Sequence, residues 1–329
     1  MPALAAGVTG VVVIAAIATV VAVKESGEPA PRSQAAPSWP DQPGLPVEVD
    51  GELWVDGEQV PGEWFGARGR GTRWISVRAD RTWWWGNGVR PRRLEGEVDQ
   101  GPAISPDGSY LAYVVGHGPD WTLAGAETDE DGEGFGTVDL PRRRMSPAPR
   151  AVGVTDDGLV VVQGPDFQWV WRPLVDGGTV DLAETAPGQV VLDVTDAGLV
   201  VNEGRYGRTD RHQGAPYLAR LDEGGTLTRL GSLPLHDALE AGERWLAYVS
   251  PGTIGGESWG AGELGVQRLD GSAAGVLEAP EGWLFAAPGF RWETPDRLLA
   301  PLITPDGSVD ALARCRPDRT ACTLVDLPD

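Results

Sequence analysis

Histidine and cysteine are scarce in this sequence, with three of the first and two of the second in 329 residues. A structural zinc site asks for about four such ligands, and His117, His212 and His236 stand far from Cys315 and Cys322. No metal and no cofactor is therefore expected. The chain also lacks a G-x-S-x-G nucleophile elbow, an H-E-x-x-H pair and a P-loop, so nothing marks a hydrolytic or phosphate-handling centre. Basic residues are few: 27 against 48 acidic ones, a formal net charge of -21. A field of that sign opposes binding to a phosphate backbone, which argues against a nucleic-acid partner. Beyond residue 47 no sustained period of 3.6 is found, which excludes a helical bundle.

The N-terminus is different. Residues 3–23, ALAAGVTGVVVIAAIATVVAV, run without a charge, and about 20 apolar residues suffice to span a bilayer core. Only Met1 and Pro2 precede the run, and it exceeds the roughly 7–15 residues of a cleavable signal's apolar region. An uncleaved anchor is the expectation. Residues 24–46, KESGEPAPRSQAAPSWPDQPGLP, hold six prolines and little that is worth burying, the composition of a disordered tether. The organisation read from the sequence is an anchor over 1–23, a Pro-rich linker over 24–46 and a folded domain over 47–329.

Within that domain, short runs rich in Val, Leu, Trp and Tyr recur between Gly, Asp and Pro clusters, the pattern of strands and turns. ISPDGSYLAYV from Ile104 matches LEAGERWLAYV from Leu239. Weaker copies are VTDDGLVVV from Val154, VTDAGLVVN from Val194 and WETPDRLLAP from Trp292. Their spacing is that of propeller blades, about 40–50 residues. The expected fold is an all-β propeller of six four-stranded blades, with seven as the alternative. The hairpin ELWVDGEQV from Glu52 either closes the ring by pairing with the last blade or belongs to an incomplete seventh.

Ser105, Pro106, Asp107 and Gly108, with Thr304 to Gly307 (TPDG) as a near copy, resemble the turn of TolB-like β-propellers. That resemblance covers most of the chain after Val47. It implies extracytoplasmic scaffolding or recognition and carries no conserved catalytic residues.

Cys315 and Cys322 flank RPDRTA in the last repeat, where two strands are expected to form a hairpin. Facing residues of a hairpin have a Cβ separation close to what a disulfide needs. A disulfide implies an oxidising compartment. Lys24, at the C-terminal end of the apolar run, points the other way under the positive-inside rule. The cysteine pair outweighs that one charge, and the propeller is expected on the outer side of the cell membrane.

Strands a to d of a blade run antiparallel, so the b-to-c loops share one rim with the d-to-a connections, and the a-to-b and c-to-d turns share the other. The longest b-to-c loops are 204–216 (GRYGRTDRHQGAP) and 250–262 (SPGTIGGESWGAG). They bring Arg205, Tyr206, Arg208, Arg211 and His212 towards Trp259, with His117 and Trp121 from the same kind of loop two blades earlier. Guanidinium forks beside aromatic faces suit a carboxylate, a phosphate or a partner's acidic loop. Asp129, Asp131, Glu133 and Gly134 imitate the start of a Ca²⁺ loop, but its twelfth position is Leu140, where a bidentate Glu is required. The fourteen tryptophans are expected mostly to pack between blades, Trp83 and Trp85 on one side of their strand and Trp84 on the other. The expected function is non-catalytic binding or scaffolding of a protein partner or an anionic envelope ligand. The alternative is a glycoside hydrolase or lyase using carboxylates in the channel.

Overall fold

The computed structural model describes residues 43–327, apart from 130, 131, 133, 143, 144, 204–215, 223, 252–259, 288, 308 and 309. The anchor over 3–23 lies outside the described residues, among which no helix is long and apolar enough to cross a membrane.

The described chain forms seven antiparallel sheets arranged as propeller blades. Blade 1 has three strands, Val47–Val49, Glu52–Val55 and Glu58–Val60. Blades 2 to 6 have four each and begin at Trp64–Arg70, Ala103–Ile104, Arg150–Val154, Gln189–Thr195 and Ala238–Ala241. Blade 7 is built from Arg291–Thr294, Arg297–Ile303, Asp310–Arg316 and Ala321–Leu324. The expected count of six is corrected to seven. The hairpin left over from six repeats pairs with Val47–Val49 and with no strand of blade 7.

Ring closure therefore rests on side chains. Leu45, Val47, Val49 and Trp54 pack with Leu299, Leu312 and Val325 of the final blade. The preceding segment is clamped as well. Gly44 N donates to Glu293 Oε1 at 2.9 Å, Gly71 N donates to Gly44 O at 3.2 Å, and Arg291 Nη2 donates to Pro46 O at 2.6 Å. Residues 43–46, read from sequence as the end of the tether, thus bridge blade 7 to blade 2, and Pro43, Leu45 and Pro46 are buried.

Alternation along each strand serves two neighbours. In blade 4, Val160 and Val162 join a core with Ala112, Leu123 and Trp121 of blade 3, while Val161 joins Leu199, Val191 and Val201 of blade 5. Successive side chains of a strand point to opposite faces, so a fully buried Val-Val-Val run is what a sheet between two sheets requires. The tryptophans follow the same rule. Trp83 and Trp85 pack with Leu111 and Ile104 of blade 3, and Trp84 packs with Trp64, Trp74 and the Leu53, Val55 and Val60 side chains of blade 1. Polar bonds join blades as well. The buried Gln168 amide of blade 4 donates to Val191 O at 2.8 Å and accepts from Val191 N at 2.9 Å, which joins blade 4 to blade 5.

Candidate functional site

Arg205, Tyr206, Arg208, Arg211, His212 and Trp259 lie outside the described residues. The strands that carry their loops are described. One loop joins Gly198–Glu203 to Tyr217–Leu221 in blade 5, and the other leaves Trp245–Val249 of blade 6. Both are b-to-c connections, so the strand ends that carry them lie on the same rim of adjacent blades. Two extra strands stand on that rim: Gly260–Ala261, at the end of the second loop, pairs with Leu284–Ala286, which pairs in turn with Arg297–Ile303 of blade 7. His117 is exposed in the blade 3 hairpin. Trp121 is not on offer to a partner: it is 7% exposed, packs in the core between blades 3 and 4, and its Nε1 donates to Gly118 O at 3.1 Å.

The predicted hairpin and its bond are present. Cys315 and Cys322 are direct register partners, 4.0 Å apart at Cα, and are joined as a disulfide. At the acidic turn, Asp129 Oδ1 accepts from Gly132 N at 2.9 Å, a local turn bond. Asp131 and Glu133 lie outside the described residues, among which no group of acidic, His or Cys side chains is arranged to hold a metal.

The first strands of blades 2 to 7, with Leu45 in the seventh place, line a central channel of about 310 Å³. Its wall carries charges that the reading of motifs passed over: Arg68 and Arg70 from blade 2, Asp193 and Asp196 from blade 5, Glu240 from blade 6 and Arg291 from blade 7. Several of these strands are bulged. Register shifts fall between Phe65 and Arg68, between Val191 and Asp193, and between Trp292 and Thr294. Bulges of this kind re-aim side chains beside functional sites.

At the a-to-b rim the channel is crossed. Arg70 Nη1 donates to Asp196 Oδ2 at 2.9 Å, and blades 2 and 5 lie on opposite sides of a seven-membered ring. The turns around this bridge are tied to one another. Asp107 N donates to Asp156 Oδ1 at 2.9 Å, which links blade 3 to blade 4. Burial and then the neighbouring Asp107 carboxylate push Asp156 up to about 6, despite the bond from Asp107 N, which acts the other way. Burial also opposes ionisation of Asp107, but hydrogen bonds from Ser109 and Ser105 outweigh it and hold that carboxyl below its ordinary value.

Deeper in the channel the groups are more strongly perturbed. Burial, with Asp193 and Asp196 adding repulsion, pushes Glu240 up to about 8, and Arg291 and Arg68 offset only part of this. Burial likewise raises Asp193 and Asp196 and lowers Arg291 to about 10. Near neutral pH the lumen thus holds a protonated Glu240 among arginines.

The signal that marks these residues is an ionisable side chain inside an otherwise apolar first strand, as in ALEA and QVVLDVT. Repeat matching concealed Glu240. ISPDGSYLAYV and LEAGERWLAYV have equal lengths, but Ser105 N pairs with Tyr110 O in blade 3, while in blade 6 Gly242 N pairs with Trp245 O. The blade 6 turn is tighter, and Glu240 sits within the strand, where the sequence match had put it level with the turn residue Ser105.

No protein-family model matches this sequence, and no curated protein matches it. Solved structures do. An oligogalacturonate lyase from Vibrio parahaemolyticus aligns at 13% identity and a TM-score of 0.52, over 82% of this chain and 84% of the enzyme. An acylaminoacyl peptidase from Pyrococcus horikoshii aligns at 13% identity and a TM-score of 0.52, over 84% of this chain, which spans about half (47%) of that protein. TolB from Acinetobacter baumannii aligns over 70% of this chain and 59% of TolB at 14% identity, with a TM-score of 0.37. At these identities the first two likenesses establish a shared fold, and the chain is an all-β, seven-bladed β-propeller.

Proposed function

We propose that this protein is a non-catalytic recognition module, tethered by residues 3–23 to the outer side of a membrane, whose loop-bearing rim binds a protein partner or an anionic envelope ligand. The observation that carries this reading is the inequality of the two mouths of the channel. The a-to-b mouth is crossed by Arg70 and Asp196, while the strand ends at Glu203 and Val249, from which the two long b-to-c segments leave, and the added strands Gly260–Ala261 and Leu284–Ala286 belong to the other rim. The sequence puts Arg205, Arg208 and Arg211 in the first of these segments, and their guanidinium groups would offer forked donors to carboxylates or phosphates. The Cys315–Cys322 bond supports an oxidising compartment.

The test is crosslinking in intact cells followed by recovery of the captured partner. Changing Arg205, Arg208 and Arg211 together to Ala is expected to abolish capture while the circular dichroism spectrum stays the same; undiminished capture rejects the rim as the site. Ser272→Cys, in an exposed turn, reports topology: labelling by an impermeant maleimide in intact cells supports the outer-side placement, and labelling only after lysis rejects it.

A second reading has its own support. A carboxyl held protonated near neutral pH, as Glu240 is, is what general-acid catalysis on a glycoside uses, and the oligogalacturonate lyase shares the fold. Against it, three arginines share the lumen with the acids. Turnover of a glycan panel that disappears in Glu240→Gln would favour this reading over the first.

A further inference from the structure

We propose that the channel is itself a binding site for a small hydroxylated oxyanion, gripped by Arg68 of blade 2 and Arg291 of blade 7. Arg68, Asp193, Glu240 and Arg291 line one lumen from four different blades. They feel one another's charge, yet no ion pair among the described residues includes any of the four. Elsewhere in this protein opposite charges so placed do close up, as Arg314 does on Glu293 at 2.7 Å. At the a-to-b mouth of the same lumen Arg70 and Asp196 also pair, while these four stay apart.

Arg291 makes the case specific. One arm of its guanidinium is used, Nη2 on Pro46 O. The other, Nη1, is buried without a hydrogen-bond partner. A buried guanidinium nitrogen left unpaired costs free energy, and an oxyanion that drew the Arg291 guanidinium towards the lumen would remove that cost. Arg68 faces the same space from the next inner strand round the ring beyond Leu45.

The acids define the rest of the ligand. Asp193 Oδ1 accepts from its neighbour Val194 N, and neither its other oxygen nor the Glu240 carboxyl has a bonded partner among the described residues. Both can accept from hydroxyl groups. With Glu240 protonated the arginines dominate, so the site favours an anion over a neutral or cationic molecule. A lumen of about 310 Å³ lies at the lower end of the volumes that hold small ligands, roughly 300–1,000 Å³, which suits one sugar-sized molecule. Carboxylate and phosphate fit the two arginines equally well.

The experiment is isothermal titration calorimetry on the full-length protein at pH 6.5 with galacturonate, glucose 6-phosphate and, as a neutral control, glucose. Saturable binding of either anion, at least tenfold tighter than glucose, is expected; galacturonate alone assigns a carboxylate, and glucose 6-phosphate alone assigns a phosphate. Arg68→Gln is expected to weaken that binding tenfold or more. Arg291→Lys, which keeps a donor for the Pro46 carbonyl, is expected to do the same and serves if the first variant does not fold. No saturable heat with either anion, or affinity unchanged in a folded variant, overturns the proposal. Triple replacement of the rim arginines leaves this binding intact, so failure here and failure of the partner reading are separate results.

Discussion

Arg70 and Asp196, 126 residues apart in sequence and on opposite blades, meet across the channel at 2.9 Å. Their side chains are 28% and 14% exposed, between the regimes in which an ion pair is worth almost nothing and in which breaking it is severe. Asp196→Ala leaves Arg70 unpaired over a narrow mouth. The expected loss is about 1–3 kcal/mol in urea unfolding, and a double-mutant cycle with Arg70→Ala should recover a favourable coupling between the two.

Glu240 sets a pH dependence. Its carboxyl is raised from 4.5 to about 8 by burial and by Asp193 and Asp196, with Arg291 and Arg68 opposing. Between those values the folded protein keeps a proton that the unfolded chain has released. The stabilising contribution is complete below about 4.5 and is lost as pH rises to about 8. Glu240→Gln cannot ionise, so its stability relative to wild type should improve with rising pH, with a crossover visible in thermal melts between pH 5 and 9.

Gln168 is a single side chain that holds two blades by their backbone. Replacing it with Leu leaves Val191 N and O without the bonds they now make at 2.9 and 2.8 Å. Each buried group left unpaired costs about 1–3 kcal/mol, so a total loss of roughly 2–6 kcal/mol is expected by chemical denaturation. Gln168→Glu should be less damaging at low pH, where its carboxyl can donate.

The N-terminal strap depends on Glu293, which takes Arg314 Nε at 2.7 Å and Nη2 at 2.9 Å and accepts from Gly44 N. Glu293→Ala removes the carboxylate that holds Arg314 and the acceptor of Gly44 N, which leaves residue 44 tied only through Gly71 N on Gly44 O. Hydrogen exchange over residues 43–60 should accelerate at least tenfold, ahead of any change in blades 3 to 5; uniform acceleration would show that the strap is not the weak point of the ring.

The Cys315–Cys322 bond closes a short loop, with a sequence separation of 7. A chain-entropy estimate for so short a loop is about 2.5 kcal/mol. Cys315→Ser with Cys322→Ser should lower stability by about that amount, and reduction of the wild type should reproduce it.

The strands themselves were legible because burial between two sheets writes itself into a sequence as Val-rich runs and paired tryptophans. LAYV at 111–114 and at 246–249 are second strands in blades 3 and 6, and Trp83 to Trp85 divide between two cores as alternation requires. The cysteine pair was legible too, since a hairpin brings its own flanks together. The choice between six blades and the alternative of seven was not, because Val47–Val49, the strand that completes the seventh sheet, is too short to announce itself.

Local sequence accounts for the strands, the turns and the hairpin disulfide, since each depends on residues a few positions apart. The channel is of another kind. Arg68, Asp193, Glu240 and Arg291 become neighbours only when seven blades close a ring, and which way each points depends on bulges and turn lengths that shift the register by one or two residues. A shift of one residue turns a strand's side chains to the opposite face, so the pattern along the chain marks candidates such as Glu240 and Asp193 without deciding which charges enter the lumen. Closure of the ring decides it, by packing Leu45, Val47 and Trp54 against Leu299 and Leu312.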